Sequence, residues 1–140
     1  MNFLQRIVNN HIIAVNVGIV YLWFVVLKFF PGISPAEKLA MDTVSQLVFF
    51  QMPSEVSIIL LAIWETLLGM VLILNIQRSM AIKIAYVHLA LTFSPFLLFP
   101  ELTFANPPFG FTLVGQYIAK NIILVAALIT LDKQTPRVAV

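Results

Sequence analysis

The chain contains no cysteine. Without thiols it carries no disulfide, no zinc–thiolate site and no iron–sulfur cluster of its own. Charge is the next scarcity. Asp, Glu, Lys and Arg make up 10% of the 140 residues, against about 25% in ordinary soluble domains. So few charges cannot clothe the surface of a soluble globule of this size, which argues against a soluble enzyme domain and equally against a disordered chain. The net charge is only +2 and the basic residues are scattered, so the electrostatic footprint of a nucleic-acid partner is missing. Ser-His-Asp, HExxH, GxGxxG and P-loop patterns are absent, as are internal repeats.

What fills the chain instead is hydrophobic sequence, 61% of it. A helix needs about 20 mostly apolar residues to cross the roughly 30 Å hydrocarbon layer. Four stretches qualify, over about 11–30, 54–76, 79–99 and 112–131. The weaker alternation of a membrane β-barrel strand is not seen. The N-terminal run is span-length and lacks an A-x-A-like cleavage site, so it reads as a first membrane helix and not as a signal peptide. The expectation is one all-α membrane domain over 1–140: four transmembrane helices in an up-down bundle.

Basic residues set orientation. Arg6, Arg78, Lys83, Lys133 and Arg137 fall on one side if both termini are cytoplasmic, while Lys28 and Lys38 face Glu37, Asp42, Glu55 and Glu101 on the other. The short connection after Ile76 makes the second and third spans antiparallel neighbours. Ser34-Pro35-Ala36-Glu37 has the form of a capping box with proline at the first helical position. The segment that follows, to about Gln51, alternates Leu39, Val44, Leu47 and Val48 with Lys38, Asp42, Ser45 and Gln46, which predicts a short amphipathic helix on the outer membrane surface. The second outer loop, PELTFANPPFGF, is expected to lie in the interface over the helix ends.

Polar groups inside the spans carry the functional information, because an ionisable residue there is expensive unless paired and normally faces the interior. Glu65 lies about halfway along the second span and Lys120 about eight residues into the fourth. At about 1.5 Å per residue their depths differ by only about 4–5 Å, within reach of an ion pair. His88 lies at similar depth in the third span. Lys28 is near the outer end of the first and is able to snorkel outward. On the fourth span Gln116, Tyr117, Lys120 and Asn121 share an arc of about 140° with Leu113 and Leu124, at 100° per residue. That face fits a cavity opening outward or a buried hydrogen-bond network. Thr92 and the helix-kinking Pro95 add polarity to the third span; Tyr21 lies on the Lys28 face of the first, Asn16 there needs a partner, and Gly69 allows close helix approach.

Each residue also has a structural reading. Glu65 and Lys120 would serve equally as an ion pair fixing helix register, His88 as a hydrogen-bonded interior histidine, Lys28 as an interfacial anchor. The second histidine, His11, lies at the opposite end of its span, so intramembrane heme ligation fits poorly.

Taken in order, Gly18 followed by YLWFVVLKFFPG, then ISPAEKLAMDTVSQL, the Glu65-Thr-Leu-Leu-Gly69 motif within WETLLGMVLIL, and the closing GQYIAKNIILVAALITL resemble the DoxX-like family of small four-helix membrane proteins. The third span contributes no signature. The resemblance implies a compact membrane bundle and a place near respiratory quinone chemistry. The family is named for a subunit of an archaeal thiosulfate:quinone oxidoreductase, other members belong to redox complexes that detoxify oxidants, and related animal proteins assist receptor assembly. The expected function is a small subunit of a bacterial inner membrane, both termini cytoplasmic, accessory to a quinone-linked respiratory or oxidant-detoxifying redox complex. Its polar site would be drawn from Glu65, Lys120, Tyr117, Gln116, Asn121, His88 and Lys28. No metal or intrinsic cofactor is expected; the ligand would be a bound quinone, with electrons supplied by a partner. The expected surroundings are the lipid bilayer and a larger membrane complex. The alternatives are a non-catalytic assembly factor or structural subunit, and a small transporter, for which four helices leave little room without oligomerisation. The sequence has no self-contained catalytic constellation, so whether the chain is an enzyme stays open.

Overall fold

A computed structural model of the chain describes residues 3–30, 32–34, 36–49 and 53–135, with the backbone alone over 3–10. Pro35, Gln51, Arg137 and the side chain of Arg6 lie outside the described residues. The elements in chain order are α1 (Phe3–Lys28), α2 (Glu37–Leu47), α3 (Ser54–Ile73), α4 (Arg78–Thr92), α5 (Pro95–Leu98), α6 (Pro100–Thr103), strands β1 (Phe104–Asn106) and β2 (Gly110–Phe111), α7 (Leu113–Ala119) and α8 (Asn121–Gln134). Four helical stretches, His11–Lys28, Ser54–Ile73, Arg78–Leu98 and Leu113–Gln134, are long and apolar enough to cross a membrane. They coincide with the four stretches read from hydropathy. Trp23, Leu67, Val87, Ile122 and Ile123 on their outer faces are exposed, a coat suited to hydrocarbon and not to water.

Two of the four stretches are interrupted. Pro95 has no N–H to give and suits the first position of a new helical turn, so α4 stops at Thr92 and α5 begins at Pro95. The last stretch breaks at Lys120 between α7 and α8, where the Ile123 N–H donates to the Lys120 carbonyl at 3.0 Å, a tighter i→i−3 bond.

α1 packs mainly on α3 and α8, and α4 likewise packs on α3 and α8. The buried centre is built from Ala14, Val17, Leu72, Ile82, Ala85 and Leu128. Small residues matter most at the α1–α3 seam, since apolar side chains gain little by leaving lipid and close backbone approach must supply the attraction. A Cβ on Gly18 would stand 2.7 Å from the Gly69 carbonyl oxygen, and one on Gly69 3.1 Å from that of Gly18. Leu22 also lies against Gly69, and Lys28 reaches Glu65, so α1 and α3 run in opposite directions.

α2 forms where the amphipathic pattern places it. Leu39 and Thr43 are buried, and the helix packs on α3 and α5. The Oγ atoms of Ser45 and Ser54 lie 3.3 Å apart. The capping box takes another form. The residue capping α2 is Ala36 and no side chain caps it; Glu37 is the first helical residue instead of the third, and its Oε2 accepts from the Gly32 N–H at 2.8 Å. Gly32 has φ +82°, a conformation that glycine adopts without strain.

The second loop contains regular structure. β1 and β2 form an antiparallel hairpin in which Phe104 pairs with Phe111. Their rings lie 5.2 Å apart, and each sits 5.3–5.4 Å from the ring of Phe96 on α5. The Thr112 Oγ1 accepts from the Gly115 N–H at 3.0 Å, capping α7, while its backbone N–H donates to the buried Thr103 carbonyl at 3.0 Å.

Candidate functional site

Side chains on an α-helix lean toward its N-terminus. On two antiparallel neighbours they therefore lean toward one another. Lys28, the last residue of α1, leans back into the protein, and Glu65, midway along α3, leans up to meet it. The Lys28 Nζ donates to Glu65 Oε2 in an ion pair. From the opposite side His88 Nε2, on α4, lies 3.2 Å from Glu65 Oε1. Each carboxylate oxygen thus has one nitrogen partner, and all three side chains are at most 15% exposed. The Tyr21 ring stands 5.5 Å from that of His88 at a tilt of 56°. The Tyr21 hydroxyl is buried with no hydrogen-bond partner among the described residues.

These groups form the floor of a cavity of about 660 Å³. Its walls come from α1, α3, α4, α7 and α8, and α2 covers it with Leu39, Ala40, Thr43 and Val44. The lining is mostly apolar. Lys120 sits on the wall, its Nζ 3.9 Å from the centre of the Phe24 ring and 4.3 Å from that of Tyr117. Asn121 beside it donates from Nδ2 to Thr92 Oγ1 at 3.4 Å, bridging the two helix breaks. Thr92 in turn donates to the Leu89 carbonyl at 2.7 Å.

Most of the residues singled out by sequence converge here: Lys28, Glu65, His88, Tyr117, Lys120 and Asn121 all line the cavity. Gln116 does not; it is exposed and turned away. It stood at one edge of the polar arc, with Asn121 at the other, and the cavity faces the Asn121 side. Leu113 is likewise exposed. Asn16 donates to the Ile12 carbonyl of its own helix at 3.0 Å and is exposed.

Two pairings differ from expectation. Glu65 is not paired with Lys120, and Lys28 turns inward instead of snorkelling out. Both follow from which helices touch. Among the spanning helices α3 packs on α1 and α4, whereas the α7–α8 break faces α3 across the cavity. Equal depth was a necessary condition for the pair but not a sufficient one. Phe24 was missed, although Tyr21, Phe24 and Lys28 share one helical face at the i, i+3, i+7 spacing. The cover by α2 had no sequence signal beyond its amphipathicity.

Chemically the site offers an ammonium without an acid, a carboxylate already doubly engaged, an imidazole and two phenols in an apolar chamber. Among the described residues no three His, Asp or Glu side chains are grouped so as to hold a metal ion. The chamber has the character of a binding site for a lipophilic molecule with a polar head. No family model, curated protein or solved structure matches this chain.

Proposed function

We propose that the chain is a small integral membrane subunit, an up-down four-helix bundle of DoxX-like type, accessory to a quinone-linked redox complex, and that its cavity holds the quinone. The observation that carries this reading is the cavity itself. Small-molecule sites enclose about 300–1,000 Å³, with mostly apolar walls and a few converging polar groups. A chamber of about 660 Å³ with Lys28, Glu65, His88 and Lys120 among the polar groups of a mostly apolar lining has that composition. A quinone needs an apolar slot for its ring and tail and one or two donors for its carbonyl oxygens. Electrons reach it from a partner subunit in this reading.

The test is native mass spectrometry of the protein extracted in mild detergent from its own membranes, with the bound lipids identified afterwards. The expected result is one prenyl quinone per chain and a co-purifying redox subunit. Recovery of phospholipid alone, with no quinone and no redox partner, refutes the proposal.

A second reading, a non-catalytic assembly or structural subunit, draws on the closed Lys28–Glu65–His88 group. Its charges satisfy one another internally, as a brace fixing helix register would. A stoichiometric non-redox membrane partner with an empty cavity in the same experiment would favour it.

A further inference from the structure

Four charged side chains line the cavity, and three of them have a partner within the protein. Lys28 and Glu65 neutralise one another, and the Glu37 carboxylate at the cover accepts the Gly32 N–H. The fourth, Lys120, has no hydrogen bond or ion pair among the described residues. Among the described residues its ammonium lies against the Phe24 and Tyr117 rings, which attract a cation through their faces but accept none of its three N–H bonds in the way that an oxygen does. An ammonium on a mostly apolar wall, whose donors no oxygen of the described residues fills, attracts an oxygen acceptor. The two rings beside it present flat apolar faces of the kind against which another planar ring packs.

We infer that Lys120 is the ligand-recognition residue of this cavity, donating from Nζ to an oxygen carried on a planar, lipid-soluble head that lies against Phe24 and Tyr117. The Lys28–Glu65–His88 group is then a positioning floor that holds α1, α3 and α4 at the right separation. This assignment rests on the reading of the cavity as a quinone site, and it specifies which residue reads the quinone oxygen. It also implies a sign of selectivity. The uncompensated positive charge favours electron-rich carbonyl or oxyanion heads and rejects ammonium heads of the same size.

The experiment compares saturable binding of decylubiquinone, and of decylbenzene as an analogue without oxygens, to the full chain in detergent micelles by equilibrium dialysis, with empty micelles as the blank. Wild type is expected to bind the quinone and discriminate against decylbenzene. Lys120→Met is expected to bind the quinone about ten- to a hundredfold more weakly, the range for a lost hydrogen bond to a charged group, and to lose the discrimination. Lys120→Arg, which keeps charge and donors, is expected to retain most of both. If Lys120→Met does not fold, Lys120→Gln carries the test with at least a several-fold loss expected. Wild type without saturable binding overturns the quinone reading itself. Wild type that binds, with Lys120→Met or Lys120→Gln binding and discriminating equally well, overturns the assignment of Lys120 and leaves the quinone reading standing.

Discussion

Glu65 has two carboxylate oxygens and one nitrogen partner for each, and this parity governs how the floor responds to substitution. Removing one partner of a buried pair leaves the other charge uncompensated, at a cost of about 3–5 kcal/mol, whereas replacing both by neutral groups of similar volume is often close to neutral. Lys28→Met alone should therefore destabilise the protein by about 3 kcal/mol. Glu65→Gln alone should cost less, because the freed Lys28 ammonium can turn outward to the interface. The double variant Lys28→Met/Glu65→Gln should be more stable than the sum of the singles requires, by at least about 1 kcal/mol, the scale of coupling for residues in contact. Unfolding of the four proteins in mixed micelles measures the cycle. Strictly additive losses would mean that the two side chains do not meet. Lys120→Met offers the contrast, since that ammonium has no acid to strand and its loss should reach ligand binding before it reaches stability.

At the scale of elements the seam between α1 and α3 decides the geometry of that floor. A Cβ on Gly18 would press on Ile73 and on the Gly69 carbonyl oxygen, and overpacking of this kind costs about 1–3 kcal/mol. Gly18→Ala should lower the unfolding midpoint in micelles, and by prising α1 from α3 it should also loosen the Lys28–Glu65 contact two to three turns away. A Gly18→Ala protein as stable as wild type would show that the seam is not tightly closed. These elements also mark where sequence sufficed. The four membrane-length helices follow from runs of about 20 apolar residues, and the break before Pro95 follows from its missing N–H. The burial of Glu65 and His88 follows from their depth, because hydrocarbon gives a charged or polar group no other resort. The partner of Glu65 did not follow. Depth is a property of one helix, while pairing is a property of two, and the packing of α3 on α1 is set by Gly18, Gly69 and the small residues of the centre acting together. Lys28 misled for a related reason: its stem reaches outward or inward with equal ease, and only a carboxylate alongside selects between them. The hairpin was hidden because strands of two and three residues have no period to read; three phenylalanine rings and a threonine cap hold it in place.

At the scale of the whole molecule the two ends are chemically unlike. One carries α2, the aromatic hairpin, and the acids Glu37, Asp42, Glu55 and Glu101; the other carries the tight α3–α4 turn with Arg78 and Lys83 close by, and Lys133 at the end of α8. Loops rich in Lys and Arg stay cytoplasmic, so the proposed orientation puts the turn inside and the cavity cover outside. That placement has a consequence for the cavity: α2 would lie in the outer interface, and a lipophilic ligand would meet Lys120 from the outer leaflet. The absence of cysteine makes the orientation directly measurable, because any thiol introduced is the only one. Ile76→Cys at the turn and Asn106→Cys in the hairpin both replace exposed residues. A membrane-impermeant maleimide applied to intact cells should label Asn106→Cys and spare Ile76→Cys until the membrane is opened. The reverse pattern would invert the protein and bring the cavity cover to the cytoplasmic face, where a ligand would have to arrive from the inner leaflet. Equal labelling of both from outside would be incompatible with spanning, since two faces of a continuous bilayer cannot be reached by one impermeant reagent.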